Sequence, residues 1–337
     1  MLNLLIKLMK FHACNSVLIA LSIMSTVTTV TAGSWETGQK WYNQKEYEKA
    51  YPYLKKAADQ ANPKAYAALG YLYRKGYGVE KDLQQAFLCY LEAARQGEPK
   101  GEFGLGYMYD MGLYVKQDYS KARKWYQLAS KQGHNAAQIN LANLYANGQG
   151  GEKNEKLAFE LMMKAAQRGD DYGQFNIGYF YDKGTGVERD YIEARKWYHK
   201  AAEQGNAGAL LNLGILYNEG KGGRKDLEKA ARLVRQAADR NEKYAQYTLA
   251  RYYQFGKGVP ESDREAVYWF RRAADNDSAL AMDALAQAYR RGELGLERSP
   301  LHYDEWERRA RETRERTHEV DPATWTLFDW IKYKFFD

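Results

Sequence analysis

The chain has 337 residues, of which 45% are hydrophobic, 28% are charged and 14% are aromatic, and its net charge is +7. This balance excludes a disordered tail, which has few aromatic residues, and a protein with many membrane spans. Only 6 prolines against 29 glycines excludes collagen-like and proline-rich chains. Because the positive charge is spread out without a basic block, nucleic acid is not expected as a partner.

Residues 1–32 have the pattern of a secretory signal peptide. A short basic stretch with Lys7 and Lys10 precedes an uncharged, mostly apolar run over 16–30, and small residues end the segment before Gly33. The apolar run is short for a membrane-spanning helix, which needs about 20 apolar residues. We therefore expect a cleaved leader and an exported protein, periplasmic or secreted; the alternative is an uncleaved N-terminal anchor.

A period of 36 residues runs through most of the chain. A tyrosine recurs at this spacing, with a glycine three residues after it and an aliphatic residue four residues before it. The tyrosines are Tyr73, Tyr109, Tyr145, Tyr181, Tyr217, Tyr253 and Tyr289. The glycines are Gly76, Gly112, Gly148, Gly184, Gly220, Gly256 and Gly292. The aliphatic residues are Leu69, Leu105, Leu141, Ile177, Leu213, Leu249 and Leu285. Repetition without insertion is the signature of a repeat protein.

Each period predicts two helices, A and B. In helix A, Leu69, Leu72 and Tyr73 form one apolar stripe, and Gly76 ends the helix. Gly70 lies beside this stripe, where the missing Cβ lets a second helix approach closely. Helix B is expected to begin after a capping side chain. The residues at this position are Asp82, Asp118, Asn154, Asp190, Asp226 and Ser262.

The repeat boundaries divide the chain into five segments. These are the signal peptide (1–32), a shortened N-terminal capping repeat (33–62), six units of 36 residues (63–278), a degenerate eighth unit (279–318) and an aromatic C-terminal helix (319–337). The last segment is predicted to cap the open end of the array. The alternative is that it docks a partner or a membrane surface.

Features that resemble catalytic motifs recur as parts of the scaffold. The Gly-x-Gly loop from Gly76 to Gly78 lacks the Gly-Lys-Ser/Thr ending of a P-loop and the strand that should precede it. Cys89 occupies an apolar position of helix B, which favours a buried inert thiol over a nucleophile. The histidines are far apart and form no metal-binding pair. We expect no catalytic residue, no metal site and no cofactor.

The clearest unit runs from Ile177 to Gly205. Its recurring positions are Ile177, Gly178, Tyr181, Gly184, Gly186, Val187, Asp190, Ala194, Trp197, Ala201, Ala202 and Gly205. This pattern resembles the Sel-one-like repeat, a relative of the tetratricopeptide repeat with a longer loop, and the resemblance covers residues 63 to about 292. It implies an all-α fold, a right-handed α-solenoid of antiparallel helix pairs in which helix A lines the concave face.

Function is expected where the units differ, on the face of helix A that points away from the core. Resemblance to the tetratricopeptide repeat places three columns of residues there. The first is Lys64, Lys100, Ala136, Tyr172, Gly208 and Tyr244. The second is Ala67, Phe103, Ile139, Phe175, Leu211 and Tyr247. The third is Tyr71, Tyr107, Asn143, Tyr179, Ile215 and Arg251.

Aromatic side chains in these columns favour a binding surface, because such side chains dominate interface energetics. The alternative is that the superhelix curls tightly enough to bury them against the next unit. The predicted partner-binding residues are Tyr71, Phe103, Tyr107, Tyr172, Phe175, Tyr179, Tyr244, Tyr247 and Arg251.

Charges of both signs lie at the ends of helix A, which favours a polypeptide partner over a single anionic polymer. They are Arg74, Lys75, Asp110, Asp182, Lys183, Glu219, Arg290 and Arg291. The resemblance implies a non-enzymatic interaction scaffold of the bacterial envelope that binds a protein or peptide in the concave groove. The alternatives are a periplasmic immunity protein that blocks a secreted phospholipase-type effector, and a secreted host-interaction factor. The sequence leaves the oligomeric state open.

Overall fold

The structure, a computed structural model, describes residues 33–317. These residues form sixteen helices and no strand. Helix α1 covers 33–43. The others are α2 (Tyr47–Asp59), α3 (Pro63–Lys75), α4 (Leu83–Arg95), α5 (Pro99–Met111), α6 (Tyr119–Lys131), α7 (Asn135–Asn147), α8 (Glu155–Gln167), α9 (Asp171–Lys183), α10 (Tyr191–Glu203), α11 (Ala207–Glu219), α12 (Leu227–Asp239), α13 (Lys243–Gln254), α14 (Asp263–Asp275), α15 (Ala279–Arg291) and α16 (Pro300–Thr317). The all-α fold with a period of 36 residues is confirmed.

The described residues divide into two compact units, one that ends at Gln138 and one that begins at Ile139. Within each unit the odd-numbered helices are helix A of a repeat and the even-numbered helices are helix B. The signal peptide predicted for 1–32 and the C-terminal helix predicted for 319–337 lie outside the described residues. Within 33–317, no helix is long and apolar enough to cross a membrane.

The predicted caps begin the B helices. The Asp82 carboxylate accepts hydrogen bonds from the backbone N–H groups of Gln84 and Gln85, both at 2.9 Å. Side chains at the five equivalent positions do the same for their own helices, at Asp118, Asn154, Asp190, Asp226 and Ser262. Each cap satisfies N–H groups that the helix cannot pair internally, so all six predicted helix starts are confirmed.

The small residue of helix A makes room for an aromatic ring of helix B. Tyr90 of α4 lies over Gly70 of α3, where an added Cβ would come within 2.7 Å of the ring. The same ring also lies against Gly104 of α5, the next helix A, where an added Cβ would clash with it too. Because Tyr90 is packed between two successive repeats, its burial joins one repeat to the next.

The second glycine of the Gly-x-Gly loop contacts the preceding repeat. Gly78 has φ of +67°, and a Cβ added there would lie 2.5 Å from the carbonyl carbon of Tyr47 and from the nitrogen of Glu48, at the start of α2. The equivalent glycines, Gly186, Gly222 and Gly258, meet the first residues of α8, α10 and α12 in the same way. The loop therefore uses glycine for close packing of backbone on backbone.

The last described helix completes the eighth repeat. Trp306, Ala310 and Thr313 of α16 are buried, and the two apolar residues belong to the core that contains Met282 and Leu285 of α15. The opposite face is charged, and Arg316 pairs with the Asp277 carboxylate at 2.6 Å. Helix α16 thus occupies the helix B position of its repeat while presenting a charged face to solvent.

Candidate binding grooves

The N-terminal unit contains a cavity of about 500 Å³ between α1, α3 and α5, which we call the N-terminal groove. Six of the predicted concave-face residues line it. They are Lys64, Ala67 and Tyr71 of α3 and Lys100, Phe103 and Tyr107 of α5. Tyr71, Phe103 and Tyr107 are half-buried, so each keeps part of its ring surface open to a ligand. The structure thus brings three of the predicted binding residues together.

Arg74 lies at the centre of the aromatic lining. Its guanidinium is 4.7 Å from the ring centre of Tyr107 and 5.4 Å from that of Tyr71. Its Nε donates to the Tyr90 hydroxyl at 3.5 Å, a long hydrogen bond. Cations over aromatic faces are stabilised by the ring quadrupole. The two rings and the hydroxyl therefore hold this cation in place at the groove.

His134 extends the apolar floor of the groove. Its ring stacks on Phe103 with 4.7 Å between ring centres and 22° between ring planes. The Nδ1 atom accepts a hydrogen bond from the backbone N–H of Ala137 at 3.2 Å, so His134 also caps α7. Burial, and then the Lys100 ammonium, lower the pKa of His134. We therefore expect a neutral ring here at neutral pH.

Three tyrosines of this groove, Tyr42, Tyr71 and Tyr90, remain protonated at neutral pH. Burial raises the pKa of Tyr71 and of Tyr42. Burial also raises the pKa of Tyr90 to about 12, although the Arg74 guanidinium opposes the shift. A neutral phenol can donate a hydrogen bond to a ligand. The groove therefore offers hydroxyl donors beside the Arg74 cation.

Asp110 was expected at the rim of the groove, and that expectation is wrong. The side chain is buried, with 7% of its surface exposed, and its Oδ2 accepts a hydrogen bond from the Tyr126 hydroxyl at 3.0 Å. Burial raises the pKa of Asp110 to about 6. Because Asp110 does not line the cavity, the charge at the N-terminal groove is more positive than the sequence indicated.

The C-terminal unit contains a second cavity, of about 800 Å³, between α13, α14 and α15, which we call the C-terminal groove. Two of the predicted residues, Tyr247 and Arg251, line it. Tyr247 is half-buried against Phe270, with 5.7 Å between ring centres. The exposed Arg251 lies 4.6 Å from the ring centre of Phe255. Acidic residues also line this groove, so its charge is mixed. They are Glu261, Asp263, Asp283 and Glu293.

Three predicted residues, Tyr172, Phe175 and Tyr244, are buried rather than solvent-facing. Phe175 is 1% exposed and packs on Tyr198 of its own repeat, with 5.7 Å between ring centres. The core around Phe175 also includes Ala209 and Leu213 of the next repeat. The structure therefore buries these three side chains, as the packing alternative expected. Tyr179 is half-buried, and the Lys183 ammonium lies 5.7 Å from its ring centre.

Sequence reasoning missed two contributions to the N-terminal groove. Trp35 and Gln39 of α1 form one wall, although residues 33–62 were expected to have only a capping role. His134 was considered only as a metal ligand. The available signal was its position, where the other repeats carry capping residues such as Asn62 and Asp170. A histidine at a position where other repeats have a capping residue was therefore a sign of the N-terminal groove.

The described residues contain no group of three or more His, Cys, Asp or Glu side chains that could hold a metal ion. Cys89 is partly buried, and burial raises the pKa of its thiol to about 12. A thiol with such a pKa is protonated and a weak nucleophile at neutral pH. This agrees with the structural interpretation of Cys89.

Eight consecutive matches to the Sel1 repeat model cover most of the chain. They span residues 36–62, 63–98, 99–134, 135–170, 171–206, 207–242, 243–278 and 279–302. The chain belongs to the Sel1 repeat family. The observed helix pairs, loop glycines and caps are therefore those of successive Sel1 repeats, and a Sel1 repeat array is a scaffold suited to protein–protein interaction. No curated protein matches the chain.

The chain is similar to several solved structures. A Sel1 repeat protein from Oxalobacter formigenes is 32% identical, with a TM-score of 0.67 over 73% of this chain and 96% of that one. A protective antigen of uropathogenic Escherichia coli with an SLR fold is 26% identical, with a TM-score of 0.48 over 90% of this chain and 82% of that one. An immunity protein from Pseudomonas aeruginosa is 19% identical, with a TM-score of 0.48 over 69% and 87% of the two chains.

Proposed function

We propose that this Sel1 repeat protein is a non-enzymatic scaffold that binds a polypeptide partner through helix A side chains of its grooves. The observation that carries the proposal is the N-terminal groove, where Tyr71 and Tyr107 contact Arg74 and Phe103 lines the same cavity. Tyrosine and arginine are enriched among the residues that dominate binding energy, especially in partly enclosed, well-packed sites. Scaffold packing alone would not require these rings to remain half-open at a cavity.

The proposed place of action is the bacterial envelope, periplasmic or outside the cell. The support for export is the signal-like segment 1–32. N-terminal sequencing of the protein recovered from a periplasmic fraction tests this, and a mature chain beginning at Gly33 is expected. Recovery of the intact leader in the cytoplasm would contradict it. The proposed partner is a polypeptide and not a nucleic acid, and the proposed role is binding and not catalysis.

Affinity capture tests the binding role. The full chain, expressed with its leader and a C-terminal tag, is cross-linked in cells and compared with Tyr71→Ala/Tyr107→Ala. The matched control is Tyr53→Ala/Tyr268→Ala, because both tyrosines are exposed on helix B, at 41% and 51%, and neither lines a groove. Phe175 is left intact, since replacing a buried ring would test stability instead.

We expect a protein that is captured by the wild type and by the control but is lost by the groove variant. Truncating residues that dominate binding costs about 2 kcal/mol or more each, which is more than a tenfold loss of affinity. Equal capture by all three proteins would refute binding through this groove. The identity of the captured protein separates a resident envelope partner from an incoming secreted effector, which is the immunity alternative.

A further inference from the structure

The N-terminal groove combines three cations with little opposing charge. Lys64, Arg74 and Lys100 line it, and Glu98 is the one acidic residue among the described residues of its lining. Between residues 33 and 317, none of the three cations forms an ion pair with a carboxylate. The buried Asp110 does not reach the cavity. The charge of the groove is therefore available to an anionic ligand.

Arg74 is held in place before any ligand arrives. Contacts with the Tyr71 and Tyr107 rings and with the Tyr90 hydroxyl restrict its guanidinium. A restricted arginine loses less conformational entropy on binding than a free surface lysine. Guanidinium groups suit carboxylates because their N–H donors match the two oxygens. The geometry therefore provides a fixed anchor for one carboxylate.

An apolar surface adjoins this anchor. Phe103 and His134 stack to form it, and Trp35 contributes to the lining from α1. The cavity of about 500 Å³ falls within the range of about 300–1,000 Å³ that small ligand sites occupy. It can therefore hold a few side chains rather than a long polymer. Single-stranded nucleic acid sites instead follow the backbone along an extended basic track.

We infer that the N-terminal groove binds an acidic segment of the partner polypeptide in which a carboxylate alternates with an apolar side chain. The carboxylate pairs with Arg74, and the Lys64 and Lys100 ammonium groups attract neighbouring acidic residues. The apolar side chain packs on the Phe103 and His134 rings. This inference rests on the proposed function, and it specifies the chemistry of the partner at this groove.

Fluorescence anisotropy with defined peptides tests this chemistry on the full chain without its leader. The probe is a labelled nine-residue peptide of alternating glutamate and phenylalanine. One control peptide has lysine at each glutamate position, and another has serine at each phenylalanine position. An oligothymidylate of similar length tests nucleic acid. We expect the glutamate–phenylalanine peptide to bind most tightly, and its affinity to fall as salt rises.

Two variants test the residues. Arg74→Gln should lower the affinity for the glutamate–phenylalanine peptide by about tenfold or more, because it removes a charged hydrogen-bonding partner. Lys64→Gln/Lys100→Gln changes two exposed side chains, so folding is not at risk, and it should weaken binding and reduce the salt dependence. The matched control, Lys56→Gln/Lys124→Gln, removes two exposed charges from helix B and should leave affinity unchanged.

Four outcomes would overturn the inference. Two are equal binding of the acidic and basic peptides, and tighter binding of oligothymidylate than of the acidic peptide. The others are no binding of the acidic peptide at millimolar concentration, and an equal loss of affinity in the control variant and the groove variants. The proposed function fails separately, in the capture experiment. A partner lost through Tyr71→Ala/Tyr107→Ala together with no affinity for the acidic peptide would refute only the inference about acidic segments.

Discussion

Asp110 is a carboxyl group that the fold holds in a site suited to its neutral form. Burial raises its pKa from 3.8 to about 6, while the hydrogen bond from Tyr126 opposes that shift. The folded state therefore binds a proton more tightly than the unfolded state. It follows that this group contributes most stability below about pH 4, and that the contribution is lost as pH rises through about 6.

Replacing Asp110 with asparagine should remove this pH dependence. Asp110→Asn keeps an oxygen that accepts from Tyr126 but has no proton to lose. Between about pH 4 and about pH 7, the free energy of unfolding of the wild type should fall relative to the variant by up to about 3 kcal/mol. Urea unfolding at several pH values measures this difference.

A control at the equivalent position makes the test specific. Asp182 lies 72 residues after Asp110, and its carboxylate is 3.3 Å from the Lys183 ammonium. Asp182→Asn removes an acid from a site that has a cation beside it, so a gain of stability at neutral pH is not expected there. Parallel pH curves for wild type and Asp110→Asn would contradict the role assigned to Asp110.

The loop between helix A and helix B contacts the preceding repeat at Gly78, Gly186, Gly222 and Gly258. Gly97, in the turn between α4 and α5, offers a comparison. Gly78 and Gly97 both have positive φ, at +67° and +74°. A Cβ at Gly78 would meet the backbone of Tyr47 and Glu48 at 2.5 Å, whereas a Cβ at Gly97 would have no heavy atom within 4 Å. The two glycines therefore share a conformational requirement but differ in packing.

Alanine at these two positions should separate the two effects. Gly97→Ala should cost about 1–2 kcal/mol, the strain of an L-residue in the left-handed region. Gly78→Ala should cost about 1–3 kcal/mol more, because the added methyl group also forces the loop away from α2. Chemical denaturation of the two variants measures the difference. Equal losses would mean that the loop shifts freely and does not fix the repeat against its neighbour.

The elements were predictable from the sequence because their determinants recur. Caps such as Asp82 and small residues such as Gly70 act within one repeat or between adjacent repeats, so a pattern of period 36 contains them. The solvent exposure of side chains in the second of the three helix A columns was not predictable in this way. Phe103 is half-buried while Phe175 is 1% exposed, although both occupy the same column. Their difference depends on which side chains the surrounding helices present.

The candidate site was therefore predicted in part. Tyr71, Phe103 and Tyr107 line one groove as the helix A columns indicated, whereas Asp110 lies in the core. Periodicity assigns a residue to a face of a helix, but it does not determine how closely a neighbouring helix covers that face. Coverage depends on side-chain volumes summed over several elements, and these volumes vary from repeat to repeat.

At the scale of the whole molecule, each repeat is stabilised by contacts with the repeats next to it. Tyr90 contacts glycines of its own and the following repeat, and the Gln132 side chain donates to the backbone carbonyl of Gly97 at 3.0 Å and to Glu102 at 2.8 Å. In the C-terminal unit Gln204 makes the corresponding bonds to Gly169 and Gln174. Stability in such an array is close to a sum of repeat and nearest-neighbour contributions.

A mutation in the last described repeat should therefore destabilise only that repeat and its near neighbours. Trp306 is 9% exposed in the core between α15 and α16, with the Arg309 guanidinium 4.2 Å from its ring centre. Trp306→Ala should cost about 3–5 kcal/mol by creating a cavity. Leu301→Ala is the control on the same helix, because Leu301 is 76% exposed and should cost less than about 0.5 kcal/mol.

Hydrogen exchange followed by mass spectrometry measures how far the loss extends. In Trp306→Ala, amides of α15 and α16 should lose protection, whereas amides of α9 and α10 in the same unit should keep most of theirs. This gradient follows because the mutated repeat is joined to α9 and α10 only through the repeats between them. An equal loss in all of these helices would show that the unit unfolds as one cooperative body, and the nearest-neighbour description would then be wrong for this chain.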